Sequence, residues 1–214
     1  GQLGLGEEIL KEGQIRTPTK LPGMRTGSFL GVSCGFAHTM LATDQEVLFG
    51  CGWNSQGQIG VGDAPTVATA SGPVVPKIKR LDVGTVRHVS CGGAHTCVVT
   101  QTGGVRTFGA NSCAQLGNGS MEDSRQPVVV ELEGVATVSG CGEEYTFVIT
   151  EDHTVYAWGL NNVGQLGLPV TKPEDPKSEK NFVMRPTTVE ALQGCGIEWI
   201  VSGQGLSLAC TADG

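Results

Sequence analysis

A tetrapeptide of the form Gly/Ala-Gln-Leu/Ile-Gly occurs four times along this chain of 214 residues. The copies begin at Gly1, Gly57, Ala114 and Gly164, which places them 56, 57 and 50 residues apart. A period of this length is typical of proteins that stack small structural units in an array. Residues that recur once per unit are therefore expected to build the unit, whereas a catalytic site is expected to occur once.

The composition favours short strands joined by tight turns over long helices. Glycine accounts for 33 residues, about twice its usual share, and charged residues for only 16% of the chain. In the third unit, four short segments rich in β-branched and aromatic residues alternate with turn residues, and none has helical periodicity. The predicted strands of that unit span 127–132, 135–139, 145–150 and 154–159.

Each unit repeats a strand that ends in a glycine-containing turn. The sequence Val-Ser-Cys-Gly-x-Ala-His-Thr occurs at 32–39 and 89–96, with variants at 138–146 and 201–207. We expect glycine to open each hairpin, because it allows close backbone approach. The third copy has one additional residue, Gly140, which predicts a β-bulge. The hairpin glycines are Gly35, Gly92, Gly142 and Gly203.

The histidines of these turns are interpreted as structural. Cys34 with His38, and Cys91 with His95, could be taken for nucleophile–base pairs. However, the corresponding position is Tyr145 in the third unit and Leu206 in the fourth, which a repeated catalytic pair would not tolerate. We expect the imidazoles and the neighbouring threonine hydroxyls to bond the backbone of the turn.

The last predicted strand of each unit ends in a variable apolar residue followed by glycine. These pairs are Cys51-Gly52, Phe108-Gly109 and Trp158-Gly159. An apolar residue of variable size at a repeated position predicts a core position between neighbouring sheets.

Several functional classes are disfavoured. The net charge of −7 argues against nucleic acid as the main partner, and no apolar run is long enough to span a membrane. The eight cysteines lack CxxC spacing, so no metal site is predicted, and no phosphate-binding glycine loop opens a helix, so no cofactor is predicted. The cysteines are interpreted as reduced thiols in a cytoplasmic or nuclear protein.

Three of these motifs together resemble the repeat of the RCC1 (regulator of chromosome condensation) superfamily. They are Gly-Gln-Leu-Gly, Cys-Gly-x-x-His-Thr and Val-Tyr-x-Trp-Gly-x-Asn, the last at 155–161. The resemblance covers the whole chain. It implies an all-β fold of four-stranded antiparallel sheets, the blades of a seven-bladed β-propeller.

The chain has room for about four of the seven expected blades. As one RCC1-like segment, 1–214, it divides into repeats at approximately 1–56, 57–113, 114–163 and 164–214, the last truncated. The first tetrapeptide stands where a fourth strand has just ended, and the last residues stand before another. The sequence therefore predicts an internal segment of a longer propeller, whose end blades would otherwise have exposed edges.

In the family's exchange factor for the small GTPase Ran, the two residues between glycine and histidine in this turn contact the GTPase. The resemblance makes the matching positions candidates for partner binding, and only the third pair is acidic. Acidic side chains there could compete for a lysine of the GTPase or disturb its magnesium site. The candidates are Phe36, Ala37, Gly93, Ala94, Glu143, Glu144, Gln204 and Gly205.

Two functions stay open at this point. The first is a protein–protein interaction module, which needs no catalytic residue. The second is a guanine-nucleotide exchange factor for a Ran-like small GTPase, for which Glu143 and Glu144 are the catalytic candidates. A photoreceptor of the same fold is disfavoured, because its turns carry clustered tryptophans and this chain has three in total. The inserts at 63–72 and 169–183 are further candidates for partner recognition.

Overall fold

The computed structural model describes residues 1–11, 14–22, 24, 29–64, 66–170 and 181–214. The regular secondary structure of the described residues consists almost entirely of strands. The exceptions are a four-residue α-helix, α1 (Glu7–Leu10), and a 3-10 helix at Glu190–Leu192. No helix among the described residues is long and apolar enough to cross a membrane.

The strands form four antiparallel sheets, which confirms the all-β, blade-like architecture predicted from the repeats. The first sheet contains β1 (Phe29–Cys34), β2 (His38–Thr43), β3 (Leu48–Trp53), β4 (Val67–Thr69) and β5 (Gly72–Leu81). The second contains β6 (Val86–Cys91), β7 (His95–Thr100), β8 (Val105–Gly109) and β9 (Ser124–Val130). The third contains β10 (Ala136–Cys141), β11 (Tyr145–Thr150), β12 (Val155–Leu160) and β13 (Phe182–Thr188). The fourth contains β14 (Ile197–Ser202) and β15 (Ser207–Thr211).

The sheets are arranged radially. The first strands of successive sheets, β1, β6, β10 and β14, pack side by side, so they form the inner edge of the array. The core lies between sheets rather than within one. For example, Met40 of the first sheet shares a buried cluster with Val89 and Phe108 of the second.

In the third strand of each of the first three sheets, the residue before the closing glycine is buried, as predicted. Cys51, Phe108 and Trp158 are each almost completely inaccessible. Phe108 packs in the cluster between the first and second sheets, and Trp158 packs between the second and third. Phe108 and Trp158 thus each pack against the preceding sheet.

The sheets are offset from the repeats that the tetrapeptide marks in the sequence. All four strands predicted in the third unit are present, and each end lies within three residues of its predicted position. However, the first of them, β9, pairs with β8 and completes the second sheet, while β10 to β12 begin the third. The segment between two tetrapeptides therefore links two blades covalently. The repeat boundaries at approximately 1–56, 57–113, 114–163 and 164–214 remain a prediction from the sequence.

The bulge predicted at Gly140 is wrong. Gly140 pairs with Phe147 just as Ser90 pairs with Cys97, so it is a regular ladder position. The register shift lies earlier, between Ala136 and Val138, and a similar shift occurs in the first strand of every sheet. Glycine is needed at 140 because a Cβ there would lie 2.8 Å from the carbonyl oxygen of Ile200.

The first insert is more ordered than a simple loop. Residues of 63–72 form β4, which pairs with the beginning of β5 and gives the first sheet a fifth strand. The second insert, 169–183, contains residues 171–180, which lie outside the described residues.

Candidate functional site

The candidate partner-binding residues all lie in the turns between the first and second strands of the four sheets. These turns gather at one end of the array, around a shallow cavity of about 280 Å³. Phe36, Glu143 and Gln204 line the cavity together with the sulfur-bearing residues Cys34, Cys91 and Cys141. We call this end the turn face.

Backbone hydrogen bonds tie each turn to the turn of the next sheet. The amide of Phe36 donates to the carbonyl of Gly93, 3.1 Å away, and the amide of Gly93 donates to the carbonyl of Glu143, 3.0 Å away. The amide of Glu143 in turn donates to the carbonyl of Gly203, at 3.1 Å. The first residue of each turn therefore links neighbouring sheets through its backbone.

The second residue of each turn is tied to its own sheet. Its carbonyl accepts a hydrogen bond of 2.7–2.9 Å from a backbone amide at or just after the end of the third strand of the same sheet. The acceptor and donor pairs are Ala37 with Trp53, Ala94 with Ala110, and Glu144 with Leu160. Because the backbone of the first three turns is held on both sides, the positions from which these side chains project are fixed. Phe36 is 70% exposed, whereas Glu143 and Glu144 are half-buried.

The turn histidines bond the next sheet, not the turn backbone, so the expected partner is wrong. His38 Nε2 lies 3.1 Å from Thr96 Oγ1, and His95 Nε2 lies 2.9 Å from Thr146 Oγ1. The reason is steric. A Cβ on Gly35 would lie 2.2 Å from the His38 ring, so the imidazole covers the glycine and points across to the next sheet.

The threonine hydroxyls bond backbone, although not that of the turn. Thr96 Oγ1 donates to the carbonyl of Gln58 at 2.7 Å, and Thr146 Oγ1 donates to that of Gln115 at 2.9 Å. These glutamines belong to the recurring tetrapeptide of the preceding sheet. The tetrapeptide thus provides an acceptor for the next blade, and Thr39 makes the equivalent bond to Gln2.

The hydroxyl hydrogen of Thr96 is used by Gln58, so His38 must donate through Nε2–H to the hydroxyl oxygen. Its Nδ1 is then unprotonated, and this atom is buried without a hydrogen-bond partner. Burial, together with the nearby His95, lowers the pKa of His38 to about 4. The imidazole is consequently neutral and acts as a structural donor near neutral pH.

The third sheet uses a different side chain for the same link. Tyr145 stands in place of histidine, and its hydroxyl donates to the carbonyl of Leu206 at 2.9 Å and approaches that of Gly203 at 3.1 Å. Ser207 stands in place of threonine and bonds the carbonyl of Gln165, again in the tetrapeptide loop. The link from the third sheet to the fourth therefore survives the replacement of histidine by Tyr145.

The glutamine and the closing glycine of the tetrapeptide each have a structural role in its loop. Gln58 Oε1 accepts the amide of Gln56, and Gln115 Oε1 accepts that of Cys113. The closing glycine has a positive φ, +68° at Gly117, and a Cβ there would lie 2.6 Å from Trp158 Nε1. Trp158 Nε1 itself donates to the carbonyl of Gln115. The loop therefore both closes on itself and packs under the next sheet.

Cys91, in the second of these turns, is not arranged for nucleophilic catalysis. Cys91 Sγ bonds the carbonyl of Ser33, and burial raises the pKa of its thiol, which disfavours the thiolate. No disulfide links the eight cysteines, all of which are described. Among the described residues, no group of three histidine, cysteine or acidic side chains is placed to hold a metal ion.

A radial array of antiparallel sheets, two of them four-stranded and all tied together at one end by their turns, is the architecture of β-propeller blades. A model of the regulator of chromosome condensation (RCC1) repeat matches residues 46–99 and 152–210, more than half of the chain. A second model of the same repeat matches 30–58, 86–115 and 135–165. The chain therefore belongs to the RCC1 repeat family.

Two curated relatives are longer proteins of different kinds. The chain is 38% identical over 135 residues to the probable E3 ubiquitin-protein ligase HERC3 of Homo sapiens, covering 63% of this chain and 12% of that protein. It is 36% identical over 140 residues to the ultraviolet-B receptor UVR8 of Arabidopsis thaliana, covering 65% of this chain and 30% of the receptor. The chain thus spans less than a third of each relative's length.

Solved structures show the same fold at low sequence identity. Yeast RCC1 (Prp20), solved bound to Kap60, superposes with a TM-score of 0.78 at 19% identity, covering 93% of this chain and 45% of that one. Human WBSCR16 superposes with a TM-score of 0.69 at 24% identity, covering 87% and 45%. At these identities the likeness concerns the fold alone.

Proposed function

We propose that this chain is an intracellular protein–protein interaction module that binds a protein partner through the turn face. The observation that carries the proposal is the fixed backbone of the first three turns, which is held both by the next sheet and by the third strand of the turn's own sheet. Loops positioned by a rigid scaffold are frequent binding elements. The fold is shared with Prp20p, whose solved structure was reported with its binding properties to Gsp1p and histones.

The side chains of the turn face define the expected contact. Phe36 offers an exposed aromatic ring, a residue type enriched at protein interfaces, beside the half-buried carboxylates Glu143 and Glu144. The cavity between the turns gives the partner a concave centre around which to dock. The net charge of −7 favours a protein partner over nucleic acid, and the reduced cysteines fit a cytoplasmic or nuclear location.

The test compares partners captured by matched variants in cell extract. Phe36→Ala and Glu144→Ala change the turn face, whereas Val129→Ala changes an exposed residue on the outer strand β9. We expect quantitative mass spectrometry to show a set of proteins lost with both turn-face variants and retained with Val129→Ala. An unchanged set of captured proteins in all three variants would contradict the proposal.

A second function is a guanine-nucleotide exchange factor for a Ran-like small GTPase. The observation in its favour is the acidic pair, because Glu143 lines the cavity and Glu144 is held beside it by the bond from Leu160. Release of a fluorescent guanine nucleotide from a panel of small GTPases tests this function. Acceleration that is lost in Glu144→Ala would support it, and the absence of acceleration with the full-length protein would exclude it.

A further inference from the structure

Two cysteines of different sheets, Cys97 and Cys141, lie in one buried cluster between the second and third sheets. Strand register shows how this pair arises. Cys141 is equivalent to Cys91 of the second sheet, and Cys97 is equivalent to Met40 of the first sheet and Phe147 of the third. The preceding cluster, between the first and second sheets, contains Met40 and Cys91. The gap between the second and third sheets thus has two thiols where the preceding gap has a thiol and a thioether.

The two thiols are in contact. The strand of Cys141, β10, packs against both β6 and β7 of the second sheet. Cys97 on β7 pairs with Ser90 on β6, and Ser90 Oγ lies 3.1 Å from Cys141 Sγ. The thiols of Cys97 and Cys141 are hydrogen-bonded to each other, and no disulfide joins them. The chain therefore holds two reduced sulfur atoms side by side on neighbouring sheets.

The two cysteines differ in their access to solvent. Cys141 lines the cavity of the turn face and is 8% exposed, whereas Cys97 is completely buried. The cavity gives a small oxidant a route to the Cys141 sulfur, with the Cys97 sulfur behind it. Cys91 is 9% exposed and lines the same cavity, so it is a matched comparison that lacks a neighbouring thiol on the facing strand.

The environment also distinguishes the two thiols chemically. Burial by itself raises the pKa of the Cys141 thiol, but the hydrogen bond from Cys97 and the nearby His95 lower that pKa well below its usual value. The same hydrogen bond, together with burial, raises the pKa of Cys97. The shared proton is therefore held on Cys97, and the nucleophilic thiolate character falls on Cys141.

We propose that Cys97 and Cys141 are a site of reversible oxidation, at which a peroxide converts the two thiols into a disulfide between the second and third sheets. An accessible thiol beside a second, resolving thiol is the usual arrangement of a redox-sensitive cysteine. Disulfides of intracellular proteins are usually of this transient kind. The bond would fix β7 to β10 beside the cavity of the turn face.

The reaction has two steps. In the first, the Cys141 sulfur attacks one oxygen of hydrogen peroxide and the O–O bond breaks. Cys141 becomes a sulfenic acid, and the second oxygen leaves as hydroxide, which takes up the thiol proton to form water. In the second step, the Cys97 sulfur attacks the Cys141 sulfur, the S–O bond breaks, and the hydroxyl leaves as water with the Cys97 proton. The two thiols lose two electrons in total, and one peroxide is reduced to two waters.

The experiment treats the fully reduced, folded chain with limiting hydrogen peroxide, blocks the remaining thiols and analyses a non-reduced tryptic digest by mass spectrometry. We expect a linked pair of peptides that joins Cys97 to Cys141 and separates on treatment with dithiothreitol. Trypsin leaves Cys91 and Cys97 in one peptide, because no lysine or arginine lies between them. Variants therefore assign the sulfur that forms the link.

Three single variants separate the roles of the cysteines. Cys141→Ser should abolish the linked peptides. Cys97→Ser should also abolish them but leave a sulfenic acid at Cys141, which dimedone labels. Cys91→Ser is the matched control and should form the link as the native chain does. Circular dichroism before oxidation checks that each variant is folded.

Two results would overturn the proposal. One is a Cys141 that stays unmodified at peroxide concentrations that oxidise the exposed Cys195. The other is a link that persists in Cys97→Ser or disappears in Cys91→Ser, because Cys91 would then be the partner of Cys141. Neither result would bear on partner binding by the turn face, since the experiment contains no partner.

Discussion

His38 Nε2 lies 3.1 Å from Thr96 Oγ1 on the next sheet, and Thr96 Oγ1 donates a hydrogen bond to the carbonyl of Gln58. This short series of bonds joins a turn of the first sheet, a strand of the second sheet and the loop that follows β3 in the first sheet. It recurs from His95 through Thr146 to Gln115. Both buried series hold neighbouring blades in register.

Replacing Thr96 by valine should reduce the free energy of unfolding by about 2–4 kcal/mol, because a buried donor on His38 and a buried acceptor on Gln58 lose their partner. Urea denaturation followed by circular dichroism measures the change. The control is Thr187→Val, at an exposed threonine, which should change stability by less than about 0.5 kcal/mol. Equal effects at the two sites would contradict the proposed role of the link.

Stability should fall as the pH is lowered from about 6.5 towards 4. The folded-state pKa of His38 is about 4, below the unfolded value of 6.5, so the unfolded chain binds the extra proton first in this range. The full effect is roughly 3 kcal/mol, at about 1.4 kcal/mol per pKa unit. Burial also lowers the pKa of His88, which contributes in the same direction.

The variant His38→Gln isolates the contribution of His38. The glutamine Nε2 can still donate to Thr96 but does not titrate, so the variant should lose less stability between pH 7 and pH 4.5 than the native chain. Urea midpoints at a series of pH values measure the difference. The same slope in both proteins would show that another group causes the acid sensitivity.

Replacing Gly92 by alanine should destabilise the chain by about 3 kcal/mol or prevent folding. The new Cβ would lie 2.1 Å from His95 Cε1 and 2.4 Å from the carbonyl oxygen of Gly142, and backbone on two sheets cannot move apart without losing the links. Gly31→Ala is the matched control, because no atom lies within 4 Å of its Cβ position. Thermal unfolding of the two variants should differ clearly, and a similar midpoint would contradict the packing argument.

Replacing Trp158 by phenylalanine should cost about 2 kcal/mol, since it removes the bond from Nε1 to the carbonyl of Gln115 and leaves a small cavity. Trp53→Phe should cost about 1 kcal/mol or less, because Trp53 is only half-buried, although its Nε1 bonds Ser71. Denaturation midpoints compare the two, and a larger loss for Trp53→Phe would reverse the expected order.

The sequence predicted the architecture well where short-range patterns decide it. The strand 145–150 was located to the residue, because alternating turn glycines and β-branched residues limit where a strand can begin and end. The recurring residue before each closing glycine predicted the buried positions Cys51, Phe108 and Trp158. The repeat itself, together with the family resemblance, was enough to predict a propeller.

Other features depended on contacts between distant residues. The partner of His38 is 58 residues away, and no local pattern indicates that Gln58 accepts the hydroxyl of Thr96. The additional residue inferred at Gly140 came from aligning Ser139 with Ser90, whereas strand pairing aligns Gly140 with Ser90. Sequence similarity between repeats does not reveal a one-residue shift, because register is set by hydrogen bonds to the neighbouring strand.

By itself, the sequence determined that this chain forms repeated antiparallel sheets, which residues end each strand, and which turns contain the candidate residues Glu143 and Glu144. Only the tertiary structure decided that the sheets are offset from the repeats and that the turns are joined at one face. Local patterns fix strands and turns because these depend on neighbouring residues. The positions of whole sheets depend on packing between residues about 50 positions apart, which become neighbours only in the folded chain.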